Sequence, residues 1–199
     1  MEIDFVAGIP DSGIGSALGY ANASKWDYIR PYVRYTPTWQ RSFMPQKQED
    51  RDNVAKHKLI PIKESIMGKR MLLCEDSIVR GTQLRDKVQG LFAHGARDVH
   101  MRPSCPPLTY SCSFLNFSRS KSELDLAARR AMRKVEGRDE FDAGPYLDES
   151  SEKYQRMVDS IRGDLGLTIL RYQKMEDMVS AIGLPKEKLC LGCWKETKK

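Results

Sequence analysis

Cysteine is scarce in this chain and odd in number, with five in 199 residues. Three (Cys74, Cys105, Cys112) are scattered and two form Cys190-Leu-Gly-Cys193, so a disulfide framework is not expected. Histidine is rarer still (His57, His94 and His100), and His57 has no second histidine or carboxylate at ligand spacing. They read as structural or surface residues. No apolar run approaches the length of a membrane span, so no membrane partner is expected. Residues 1–20 lack a basic region followed by an apolar core, so no signal peptide is evident and a cytoplasmic protein is expected. No repeat or low-complexity tract appears. The net charge is +6, but no basic stripe interleaved with aromatics accompanies it, so nucleic acid is not expected. A polyphosphate substrate accounts for the excess, part of which lies in Lys195, Lys198 and Lys199.

What is present is organised around Arg70 to Thr82. Met71 to Cys74 reads as a buried strand following the Gly68-Lys69-Arg70 turn. Glu75 and Asp76 stand where the strand ends, and Ser77, Ile78, Val79, Arg80, Gly81 and Thr82 lead into a helical pattern. Loop N–H groups and a helix start can hold a phosphate. Paired carboxylates can accept hydrogen bonds from vicinal ribose hydroxyls or face a hard cation such as Mg²⁺. Ser77 and Thr82 add hydroxyl donors, and Gly81 permits close backbone approach.

A second loop of similar character follows an earlier strand. Glu2 to Ala7 is strand-like, Gly8-Ile9-Pro10-Asp11-Ser12-Gly13 breaks it, and Gly15 to Ala23 has helical spacing. Tyr28 to Arg34 suits a short strand, at an edge because of Pro31. Residues 33–46 show no clean period and combine cations with aromatics, as active-site lids do. Residues 46–62 are charged and read as helical. Leu84, Val88, Leu91 and Phe92 recur at helical spacing up to His94-Gly95, and Asp98 to Arg102 is another strand, giving a βαβ unit and a parallel sheet. Cys112 to Phe117 is strand-like. Beyond it, Ser122 to Val135 reads as a helix capped by Ser122, with Arg129, Arg130 and Arg133 as its basic residues. Tyr154 to Ile161 reads as a helix, Leu167 to Leu170 as a strand and Lys174 to Ile182 as a last helix. The expected organisation is a core over residues 1–117 and a helical C-terminal extension over 118–199, packed on it and ending in the Cys-x-x-Cys motif.

The run Glu75-Asp76-Ser77-Ile78-Val79-Arg80-Gly81-Thr82 resembles the phosphoribosyl pyrophosphate (PRPP) motif of the type I phosphoribosyltransferases, in the wording of the amidophosphoribosyltransferases. The resemblance extends over nearly the whole chain and implies an α/β fold with a mostly parallel sheet flanked by helices. It also implies transfer of an amino group to C1 of PRPP, giving 5-phosphoribosylamine and pyrophosphate in purine synthesis. Glu75 and Asp76 would then hold the ribose hydroxyls, and the loop Ser77 to Thr82 the 5-phosphate. Asp11, Ser12 and Gly13 would face the pyrophosphate, with Mg²⁺ held through Asp11, Glu75 and Asp76. Arg34, Tyr35 and Arg41 would close over the substrate as the catalytic lid, with Phe43 matching as well, and Lys58 would lie near the phosphates. Val33 and Ser42 depart from the lid pattern.

By the same resemblance, Cys112, Cys190 and Cys193 match three of four ligands of an iron–sulfur cluster. Cys105 is a candidate fourth, for a cluster or for tetrahedral zinc. An empty ancestral site or a surface dithiol is the alternative, and Cys74 reads as a buried apolar residue. Met1 is followed by Glu2 rather than by the nucleophilic cysteine of the family's glutaminase domain. The expected nitrogen source is therefore ammonia or a separate glutaminase, and a homo-oligomer is expected. Two rival readings remain: another acceptor such as a purine base, and a PRPP-sensing module without catalysis.

Overall fold

The computed structural model describes residues 2–34, 59–112 and 123–195. A central sheet is built from β1 (Phe5–Gly8), β4 (Arg70–Glu75), β5 (Asp98–Pro103) and β6 (Ile169–Leu170), in the order β1-β4-β5-β6. All three pairings are parallel, with Gly8 opposite Cys74 and Glu75 opposite Pro103. A separate antiparallel pair joins β2 (Tyr32–Arg34) to β3 (Leu59–Pro61). The helices are α1 (Ile14–Ser24), the short α2 (Lys63–Ile66), α3 (Thr82–Ala93), α4 (Ala127–Glu136), α5 (Glu152–Leu165) and α6 (Met175–Ile182). No helix among the described residues is long and apolar enough to cross a membrane.

Strand side chains alternate between faces, and here both faces are covered. Val6, Leu72 and Cys74 point to one side, where Ala17 and Ala21 of α1 pack on them. Phe5, Ala7, Met71 and Leu73 point to the other, into a larger core with Leu84, Val88 and Leu91 of α3. That core also holds Ala128 and Met132 of α4 and Met157, Ile161 and Leu165 of α5. Two-sided burial explains why Met71 to Cys74 is an unbroken apolar run. Residues between Ala127 and Leu170 thus contribute to the same apolar core, and β6 adds to the same sheet.

Several boundaries differ from the sequence reading. The helix expected from Ser122 begins at Ala127; residues 123–125 form a tight 3-10 turn, and Ser122 lies outside the described residues. A tertiary contact fixes that start, because the Ala127 N–H donates to the Val79 carbonyl at 2.8 Å. The first strand begins at Phe5, and Tyr28 makes only an isolated bridge to Val6 before β2 starts beyond Pro31. Residues 59–61, read as the end of a helical stretch, form β3. Cys112 is not in a strand, and residues 113–117 lie outside the described residues. The helix of residues 152–165 is longer at both ends than its periodicity suggests; Ser151 caps it, accepting from the Tyr154 N–H at 3.0 Å.

Candidate functional site

In open α/β sheets, ligands gather at the carboxyl ends of the strands. Here the loops after β1 and β4 emerge side by side, because Gly8 and Cys74 are in register. The Ile9 N–H donates to the Cys74 carbonyl at 2.9 Å, and the loop then turns into α1. Gly13 makes this possible: a Cβ there would stand 2.1 Å from the Cys74 carbonyl oxygen. The peptide bond between Pro10 and Asp11 is cis.

The Ser12 hydroxyl donates to Glu75 Oε1 at 2.7 Å, joining the two loops. Glu75 is the last residue of β4 and is only 8% exposed. Burial, outweighing the Ser12 bond, raises its pKa to about 7. Glu75 also accepts the Asp76 N–H at 3.2 Å, while the Asp76 carboxylate accepts the Ser77 N–H at 2.6 Å. The acidic pair is therefore unequal: Glu75 is enclosed with its Oε1 taking both bonds, and Asp76 is exposed. On the far side, Ser104 grips the strand end, its N–H and hydroxyl donating to the Glu75 carbonyl at 2.9 and 3.0 Å.

Residues 77–81 curl over a cavity of about 590 Å³ that also reaches Ser12, Glu75, Asp76 and Lys87. Gly81 has a φ of 76° and precedes the first turn of α3, a conformation glycine tolerates best. The loop's carbonyls are engaged from behind. Val79 accepts from the Ala127 N–H, and Arg80 accepts from the Arg130 guanidinium, which also bonds the carbonyls of Leu124 and Asp125. The Ile78 side chain is buried in the core, so of this residue only the backbone is free to serve a ligand.

Asp11 and Arg34 form an ion pair at a second, smaller cavity beside Gly8 and Tyr32. The other lid residues, Tyr35, Arg41 and Phe43, and also Lys58, lie outside the described residues. The structure brings together Ser12, Glu75, Asp76 and the loop 77–82, and places Asp11 with Arg34.

Among the described residues, no three His, Cys, Asp or Glu side chains are grouped to hold a metal ion. For Mg²⁺ this donor set still fits, since that ion is commonly bound by one or two carboxylates together with substrate phosphates. The cysteines predicted as cluster or zinc ligands do not form such a group either. Cys193 lies against Cys112 and Cys190, and burial, followed by those neighbours, raises its pKa to about 11. Burial likewise pushes Cys105 up to about 12. The Cys193 carbonyl instead accepts the N–H groups of Thr109 and Tyr110 at 3.0 and 3.1 Å, and Trp194 donates to the Pro106 carbonyl at 3.0 Å. The Cys-x-x-Cys turn thus docks the end of the chain on the segment after β5.

The positions of two residues near the site are barely legible in the sequence. In the sequence Arg130 is one of three basic residues of its helix, and only the packing of α4 behind the loop shows its contacts. Lys87 offered a faint signal, as a charge directly before the core position Val88.

No family model matches the chain. It is 32% identical over 192 residues to the amidophosphoribosyltransferase of Methanothermobacter thermautotrophicus, covering 96% of this chain and 34% of that protein. It is 38% identical over 149 residues to the enzyme of that name from Synechocystis, covering 74% and 29% respectively. Among solved structures it resembles the glutamine PRPP amidotransferase from B. subtilis complexed with ADP and GMP, with a TM-score of 0.72 and 27% identity over 99% of this chain and 38% of that one. The chain spans about a third of the length of the curated relatives it matches.

Proposed function

Since the chain is a relative of the amidophosphoribosyltransferases over nearly its whole length and has the type I phosphoribosyltransferase fold, we propose that it binds PRPP and transfers an amino group to C1 of the ribose. The observation that carries this reading is one cavity lined by Ser12, the unequal pair Glu75 and Asp76, and the loop 77–82. A sugar phosphate offers complementary groups: vicinal hydroxyls for the carboxylates and a terminal phosphate for the loop.

In this reading the C1–N bond forms as the C1–O bond to pyrophosphate breaks. The bonding pair leaves with pyrophosphate, and the attacking nitrogen gives up a proton. Ammonia is the proposed nitrogen donor, supplied free or by a glutaminase. Asp76 and Glu75 accept hydrogen bonds from the ribose hydroxyls, fixing the ring relative to the acceptor. The Ser12–Glu75 bond keeps the loop after β1 in register with the ribose. Arg34, oriented by Asp11, faces the pyrophosphate and stabilises the charge it gathers on leaving. Asp76 would hold Mg²⁺, which when bound would neutralise part of that charge.

The test is pyrophosphate release from PRPP by the full chain, with ammonium salt, with a purine base and with neither. Ammonium-dependent release is expected. Base-dependent release would move the assignment to another acceptor, and binding without turnover would favour a sensing role.

A further inference from the structure

The first turns of α3 do two jobs. Leu84, Val88 and Leu91 anchor it in the core, while Gln83, Leu84 and Lys87 line the cavity that holds the acidic pair. Gln83 and Lys87 are four residues apart and so share a helix face. The backbone at Lys87 is pinned, because the buried Tyr32 hydroxyl donates to its carbonyl at 3.1 Å.

The Lys87 side chain is half-buried, and among the described residues no carboxylate lies within ion-pair distance of it. Burial lowers its pKa, with only the charge of Glu75 acting the other way. Glu75 is already bonded by the Ser12 hydroxyl and the Asp76 N–H. A partly desolvated ammonium without a salt partner is costly, and a bound anion relieves that cost. Lysine commonly binds phosphate in this way, as a compact point charge.

We propose that Lys87 is a substrate-binding residue of this cavity, its ammonium pairing with a phosphoryl oxygen of the bound sugar phosphate. The inference rests on the reading of the cavity as a PRPP site and adds a cation outside the motif loop. It makes α3 a contributor to binding through its second turn as well as its N-terminus.

The experiment is calorimetric titration of the full chain with PRPP, inorganic pyrophosphate and ribose 5-phosphate, using wild type, Lys87→Met and Lys87→Arg, each with a thermal melt. Lys87→Met is expected to bind PRPP at least tenfold more weakly, the range for a lost charge-assisted hydrogen bond. At least one of the two fragments should weaken in parallel, the melt should stay within a few degrees of wild type, and Lys87→Arg should recover most of the affinity. If wild type binds and Lys87→Met binds equally tightly, this inference fails while the site assignment stands. Equal losses of affinity and melting temperature in Lys87→Met and Lys87→Arg would reduce Lys87 to a packing residue. If wild type binds none of the three anions, the site assignment fails first.

Discussion

Glu75 is held where its charge is disfavoured, which makes its protonation part of the stability of the fold. Its folded-state pKa of about 7 lies above the ordinary 4.5, so the unfolded chain releases the proton first. Below about pH 4.5 the group contributes nothing to the pH dependence; stability then falls as pH rises toward 7 and levels off above it. The full effect is on the order of 3 kcal/mol, from the conversion of a pKa difference to free energy. Glu75→Gln should remove this decline, so urea melts from pH 4.5 to 8 should show a wild-type slope that the variant lacks. Parallel pH profiles would contradict the assignment of the titration to Glu75. Arg130 acts at the same scale by holding the loop carbonyl of Arg80 and those of Leu124 and Asp125. Arg130→Ala should cost about 2 kcal/mol of stability. In a PRPP-dependent assay it should raise KM several-fold more than it lowers kcat, as steady-state kinetics would show.

At the scale of elements, the two loops differ in what fixes them. The loop after β1 depends on backbone contact, with no space at Gly13 for a side chain. Gly13→Ala should therefore be severely destabilising, by more than about 3 kcal/mol, since backbone must move to admit the methyl group. Gly15→Ala, two residues on, meets nothing within 4 Å and should be neutral or stabilising by about 0.5–1 kcal/mol. Comparing the melting temperatures of the two variants checks both. The parallel βαβ unit of β4, α3 and β5 was legible in the sequence because its signals are local: an apolar run, a 3.6-residue period and a terminating glycine. The start of α4 was not, because it is set by Val79, nearly fifty residues earlier in the chain. The shortness of β6 was equally hidden, since only two residues meet β5.

For the molecule as a whole, the motif at Glu75 to Thr82 carried the resemblance to the amidophosphoribosyltransferases, and the parallel register of β1 with β4 explains why the Pro10 to Gly13 loop lies beside it. Periodicity could not give the inequality of the acidic pair, which depends on how deeply the end of β4 lies under Ser12 and Ser104. Nor could it show that the cysteine turn at the end of the chain packs on the segment after β5 through backbone bonds. The account rests on PRPP occupying the cavity between these loops, with Asp76 as its exposed carboxylate. Titrating PRPP into wild type and Asp76→Asn with Mg²⁺ present tests this most directly. Saturable wild-type binding, weakened at least tenfold in Asp76→Asn without change in melting temperature, is the predicted result; no wild-type binding, or equal affinity in the two proteins, would contradict it.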